Sequence, residues 1–200
     1  MDDDLVLKIF GDQVEQKVID VNGQPVSSAQ VVESGYKGGL AEHIDMAKEQ
    51  KKDLEERIFP VFVFNAKGGE RYHIISIRGK GLWDAIWASV AVEEGDKAFD
   101  TVVGATFDHA GETPGLGAEI KDNPAFARNF QGKKLYDENG NYTSVVVRKG
   151  GARNPRYEVD GITGATVTAD GVSDMFYEGV AYYSDYFDGM RGDNKDKYKN

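Results

Sequence analysis

Apolar residues recur along the chain with two different periods. Through the middle the period is two. PVFVF (Pro60–Phe64), the polar connection NAKGGE (Asn65–Glu70) and RYHIISIRG (Arg71–Gly79) predict two strands around a glycine-containing turn. Apolar stretches on either side of the EEGD turn at Glu93–Asp96 predict further strands, the second running through Thr101–Asp108. Gln13–Val26 reads as a short strand pair turning at Val21–Gly23, and YTSVVVRKG (Tyr142–Gly150) as a β-branched strand behind the Asn139-Gly140 turn. Elsewhere the period lengthens. Leu40–Ile58 places Ile44, Met46, Leu54 and Ile58 on one predicted amphipathic helix, and short helical patches are predicted at Ala118–Ile120 and Pro124–Phe130. From Thr168 onward, Val172, Met175, Phe176, Val180, Tyr183 and Phe187 recur at spacings of three and four, which predicts a helix with one buried stripe. Thr168 is expected to be its N-cap, with Asp170 and Asp174 favouring the helix dipole in the first turns.

Strands follow one another without the helical crossovers that a parallel sheet requires, which argues against a doubly wound nucleotide fold. The expected class is α+β, a mostly antiparallel twisted sheet with flanking helices. One domain is expected over residues 1–190, with 1–58 as lead-in strands and helix and the polar segment RGDNKDKYKN (191–200) as a tail.

Composition narrows the chemistry. The 200 residues carry 24 Lys and Arg against 34 Asp and Glu, a formal charge of -10, and a field of that sign repels phosphate backbones. Nucleic acid is not an expected partner. With no cysteine the chain supplies no disulfide, cysteine-zinc site or iron-sulfur cluster, so redox chemistry requires another cofactor. Phe59–Phe64 and Ser144–Val147 are strand-length, far below the roughly 20 residues of a membrane span. Met1 is followed by three aspartates rather than by a signal peptide. The histidines His43, His73 and His109 have no HExxH or paired ligand spacing, and Asn141-Tyr142-Thr143 is a sequon of the kind that arises by chance.

Four glycine-containing strings remain. DGITGAT (Asp160–Thr166) stands directly before the C-terminal helix, whose free backbone N–H groups and positive dipole end favour a phosphate, while Gly164 and Ala165 let the backbone approach it. Local chemistry alone favours an ordinary glycine turn with the helix capped by Thr168. HAGETPGLG (His109–Gly117) offers Glu112 and Thr113 as hydrogen-bonding groups in an irregular loop around Leu116 and Gly117, or else a plain Pro-Gly turn. GKGLW (Gly79–Trp83) sets Leu82 and Trp83 behind two glycines, suited to walling an aromatic ligand or to ordinary core packing. KGGA (Lys149–Ala152) places a cation in a flexible loop. A second Gly-Ala-Thr at Gly104–Thr106 lies in a β-branched stretch with neither the Asp-Gly pair before it nor a helix after it, and is read as strand.

These strings resemble the FMN-binding domain family, in which the same order is found and the Asp-x-x-(Ser/Thr)-Gly-Ala-Thr motif carries flavin. The resemblance implies FMN joined by a phosphoester to Thr166, with Asp160, Thr163, Gly164 and Ala165 forming the attachment turn. It also implies that Glu112, Thr113, Leu116, Gly117, Leu82 and Trp83 lie against the flavin and that Lys149 is a cation beside it. A threonine hydroxyl needs activation and has no adjacent histidine, so attachment is expected to require a flavin transferase using FAD and a divalent metal, with Asp160 as a recognition element. The implied function is an electron-transfer subunit of a Na+-translocating NADH:quinone oxidoreductase, working with the other subunits of that membrane complex. The alternatives are the corresponding subunit of an Rnf-type complex and a noncovalent flavin-binding or sensory module. Such subunits begin with a membrane helix that is not seen here. The chain is therefore expected to be the soluble part, on the periplasmic side of a bacterial inner membrane.

Overall fold

The computed structural model describes residues 2–191, so residues 192–200 of the expected polar tail lie outside the described residues. In chain order the elements are α1 (Asp3–Gln13), β1 (Val14–Asp20), α2 (Ser28–Glu33), α3 (Met46–Glu49), β2 (Ile58–Asn65), β3 (Arg71–Lys80), β4 (Ala85–Glu93) and β5 (Thr101–His109). They continue with α4 (Glu119–Asp122), α5 (Pro124–Arg128), β6 (Lys133–Lys134), β7 (Val146–Arg148), β8 (Glu158–Asp160), α6 (Thr166–Ala181) and α7 (Ser184–Arg191).

Strands β1 to β6 form one antiparallel sheet in sequence order, with Val61 opposite Ile75, Ile75 opposite Val90 and Val90 opposite Ala105. Alternation along each strand sends Val61, Val63, Ile75, Ile77, Ile86, Ala88, Val90 and Val92 to one buried face. Helix α6 covers that face. Its stripe of Val172, Met175, Phe176 and Val180 is buried, with Phe176 stacked on Phe130 at 4.8 Å. Glycines set how closely the helix approaches β3. A Cβ at Gly79 would stand 2.7 Å from Cβ of Met175, one at Gly179 2.7 Å from Cβ of Ile77, and one at Gly171 would overlap the Lys80 carbonyl. On its other side α6 meets the two-stranded parallel pair β7–β8, where the Ser173 hydroxyl accepts the Val147 N–H at 2.9 Å.

Several predicted elements are corrected. Leu40–Ile58 is not one helix but a short turn, α3 and another turn, because Asp45 caps a new start and the interior holds a buried acid. Glu49 is fully buried, accepting from the Tyr36 hydroxyl, from the Ile58 N–H at 2.9 Å and from Lys52 Nζ at 2.7 Å. It anchors a satellite core of Val18, Val31, Tyr36, Ala41 and Ile58. Gln13–Val26 contains one strand, β1, and the chain returning after it forms no second strand, meeting β1 at an isolated bridge from Ile19 to Pro25. The hydrophobic pattern does not predict α1, β6 or β8, and Arg191, assigned to the tail, is a buried residue of α7 stacked on Tyr136 at 4.0 Å.

Helix α7 is tied to the sheet through His73, whose Nδ1 lies 3.0 Å from Tyr186 Oη and Nε2 3.2 Å from Glu94. Burial holds this imidazole below its ordinary 6.5, against the upward pull of Glu94. The unfolded chain therefore takes up the proton first as pH falls below about 6.5, and stability that is complete above that pH is lost toward the folded value. The urea midpoint of the parent is expected to fall between pH 7.5 and pH 5, and that of His73→Gln to stay flatter over the same range. Equal slopes for the two proteins would refute this origin.

Candidate functional site

Three segments far apart in sequence converge at the N-terminal end of α6. Asp160 ends β8 opposite Arg148, and the Gly161 N–H donates to the Arg148 carbonyl at 2.8 Å. The chain then turns through Thr163 and Gly164, with φ +81° at Gly164 and the Ala165 N–H closing the turn onto the Ile162 carbonyl at 3.1 Å. Positive φ there suits glycine and brings the turn against Leu116, since a Cβ would lie 2.8 Å from Leu116 Cδ2. Thr166 is the first helical residue, half-buried, behind a buried Ala165 at the cap position. No side chain caps this sixteen-residue helix. Thr168 is thus not the N-cap expected from sequence. Lying within the first turn and buried, it donates its hydroxyl to Glu112 Oε2 at 2.6 Å instead.

Glu112 is where the segments meet. Only 5% exposed, its carboxylate accepts the Thr168 hydroxyl through one oxygen and the Trp83 N–H through the other at 2.9 Å. Space around it is reserved by glycine: a Cβ at Gly117 would come within 2.7 Å of Thr168 Oγ1, and one at Gly81 within 2.9 Å of Glu112 Cδ. Burial pushes the Glu112 carboxyl up, but the Thr168 hydroxyl and the N–H groups of Trp83 and Asp84 outweigh it and hold the group below its usual range. The Glu112 N–H in turn donates to His109 Nδ1 at 3.1 Å, so that nitrogen is the acceptor side of the imidazole.

Trp83 is not a core residue. It is 66% exposed, with Nε1 donating to Thr113 Oγ1 at 3.1 Å, and Leu82, Leu116 and Val167 on the same segments are also exposed. Large apolar side chains left in solvent near one another mark candidate interaction surfaces. Lys149 is exposed at the end of β7, in a loop pinned from β8. Glu158 accepts the N–H groups of Arg153 and Asn154 at 2.7 and 2.9 Å and Arg148 Nε at 2.7 Å, while Asp160 accepts the Ala152 N–H at 2.7 Å. The Asn154 N–H, Arg148 and the Arg153 N–H hold Glu158 at about 2.

The twelve residues singled out from sequence fall on four segments, the turn before α6 and the three that meet it, Lys149 standing in the loop after β7. Sequence reading missed Thr168 as a partner of Glu112, Glu158 as organiser of the Lys149 loop, and His109 as the acceptor behind Glu112. The Thr168–Glu112 bond leaves no signal in spacing because it joins segments far apart in the chain, whereas the His109 and Glu158 contacts are local turns within single loops that no hydrophobic period marks. Gly104–Thr106 is strand β5, with Thr106 opposite Ser89, away from any helix start. Among the described residues no cluster of three or more His, Asp or Glu is placed to hold a metal ion.

The FMN-binding domain family matches residues 81–181, which contain most of these segments. The C subunit of the Na(+)-translocating NADH-quinone reductase of Vibrio campbellii is 33% identical over 187 residues, covering 86% of this chain and 68% of the relative. Its counterpart in Pasteurella multocida is 30% identical over 84% of this chain and 65% of its own length. The crystal structure of the same reductase component from Parabacteroides distasonis superposes with a TM-score of 0.76 at 32% identity, covering 94% of this chain and 84% of that one. Shewanella oneidensis NqrC does so at 0.71 and 27%, over 92% and 87%. The chain belongs to the FMN-binding domain family and, within it, to the NqrC proteins of Na(+)-translocating NADH-quinone reductases.

Proposed function

We infer that this chain is the FMN-carrying electron-transfer subunit of a Na+-translocating NADH:quinone oxidoreductase, with FMN attached through a phosphoester to Thr166. The observation that carries the attachment site is the uncapped start of α6 with Thr166 at its first position, behind the positive-φ turn at Gly164. Such a start leaves the N–H groups of the first turn free to donate to a phosphate, reinforced by the helix dipole. The residues fit the rest of the group as well. Leu82, Trp83, Leu116 and Val167 offer exposed apolar surface for a flat ring, and Thr113 and Lys149 offer a hydroxyl and a cation near its edge.

When bound, FMN supplies the redox chemistry that the side chains of this protein lack. The chain supplies orientation and charge. In attachment the Thr166 hydroxyl forms the new O–P bond, the pyrophosphate linkage of FAD breaks, AMP leaves, and the hydroxyl proton passes to a base on the flavin transferase. Asp160 serves that enzyme as a recognition element. Its one intramolecular task, accepting the Ala152 N–H, survives in an amide. Asp160→Asn is therefore expected to fold normally but to lose most FMN loading in transferase-containing cells, and undiminished loading would sink this role. NADH, quinone and the sodium path belong to other subunits. Among the described residues no helix is long and apolar enough to cross a membrane. The chain works as part of the membrane complex, on its periplasmic side.

The deciding experiment is mass spectrometry of the chain coexpressed with the transferase. Covalent FMN on the Thr166 peptide supports the reading, flavin removed by denaturation supports a noncovalent module instead, and no flavin under either condition rejects both.

A further inference from the structure

We propose that Glu112 is the positioning residue of this site: its carboxylate locks the Trp83 loop and the first turn of α6 into one register without touching the flavin, and its fixed negative charge lowers the flavin's midpoint potential. The proposal rests on the inferred attachment at Thr166. It departs from the expectation that Glu112 hydrogen-bonds to the ring.

The geometry argues for positioning. Both carboxylate oxygens point inward, one to the Trp83 N–H at 2.9 Å and one to the Thr168 hydroxyl at 2.6 Å, and only 5% of the residue is exposed. Thr168 stands two residues after Thr166, and Trp83 carries the indole that bonds Thr113. One side chain thus couples the acceptor hydroxyl to the exposed apolar wall. Gly81 and Gly117 are small where a Cβ would crowd this carboxylate, so the backbone on both sides is shaped around it. Misplacing a reacting group by about 1 Å can cost on the order of 100-fold in rate, which sets the scale for losing the register.

The charge argument is independent of the register. Charge-assisted hydrogen bonds from Thr168, Trp83 and Asp84 keep the group ionised, and burial limits its screening. Reduction of flavin adds negative charge, and a fixed carboxylate nearby opposes that change. A ring tethered to Thr166 is within reach of this field, because Glu112 contacts the same helical turn.

The test compares parent, Glu112→Ala and Glu112→Gln, each coexpressed with the flavin transferase. Covalent FMN is measured by mass, folding by thermal melting, and midpoint potential by spectroelectrochemistry of the loaded fraction. Alanine is expected to slow loading by on the order of 100-fold. Glutamine, whose amide can still accept from Trp83 and donate to Thr168, is expected to recover most of that loading while its midpoint potential rises above the parent's. Loading of a folded Glu112→Ala at the parent's rate would overturn the positioning role. A Glu112→Gln midpoint equal to the parent's would overturn the electrostatic one, and that arm stands even if the alanine variant does not fold. Failure of the underlying assignment looks different, since the parent itself would then carry no FMN on Thr166.

Discussion

A Thr166→Ala chain coexpressed with the flavin transferase is expected to carry no covalent flavin at all. The parent should be heavier than its sequence mass by one FMN less one water, and the variant should match its sequence mass. Trypsin separates the competing sites cleanly. Thr163, Thr166 and Thr168 fall on the peptide Tyr157–Arg191, whereas Thr106 falls on Ala98–Lys121. Fragmentation then separates the three threonines of the first peptide, whose hydroxyls have distinct surroundings: Thr163 is exposed on the turn, Thr166 half-buried at the helix start, and Thr168 buried and committed to Glu112. Alanine is the best helix former and Thr166 lies at the helix start, so melting of the variant should match that of the unloaded parent. Flavin on Thr166→Ala, or on the Thr106 peptide, would refute the assignment.

The second large effect concerns the seat of that helix. Phe176→Ala is expected to destabilise the domain by about 3–5 kcal/mol, the usual cost of deleting a fully buried aromatic ring. Phe176 is fully buried and packs against Phe130 at 4.8 Å and Phe107 at 6.0 Å. At this chain length each kcal/mol is worth about 2–4 °C in melting temperature, so a drop on the order of 10 °C is expected. Tyr177, next in sequence but 56% exposed, is the control, and its alanine variant should lose far less. Similar losses at the two positions would mean that α6 is not seated as described.

Much of this architecture is legible in the sequence because alternation reports burial directly. Val61 and Val63, Ile75 and Ile77, and Ile86 through Val92 mark strands whose pairing needs only short turns between them. The stripe on α6 is legible for the same reason. What stays hidden is held by polar contacts between distant segments. Glu49 looks like a surface helix residue and is instead the fully buried anchor of a satellite core, which is why Leu40–Ile58 reads falsely as one helix. Helix α1 has no buried residue and owes its start to Asp2 accepting the Asp4 N–H at 3.3 Å, leaving no stripe to detect. At the site the strings and their order can be read, but not the bond from Thr168 to Glu112 that displaces the expected cap, nor the outward turn of Trp83. Hydrophobic periodicity contains neither.

The position of α6 in the chain also bears on how the protein is made. The sheet it covers is nearly complete by His109, yet its cover comes from residues 166–181, and α7 follows. On the ribosome, the apolar face around Ile75, Ile86 and Val90 must wait uncovered until residues 166–181 emerge, the kind of exposure that makes nascent chains prone to aggregation and calls for chaperones. The niche around Thr166 does not exist until α6 has emerged and docked. A modifying enzyme that recognises the assembled niche would act only on chains with α6 in place, and flavin loading would then double as a selection for molecules whose core has closed.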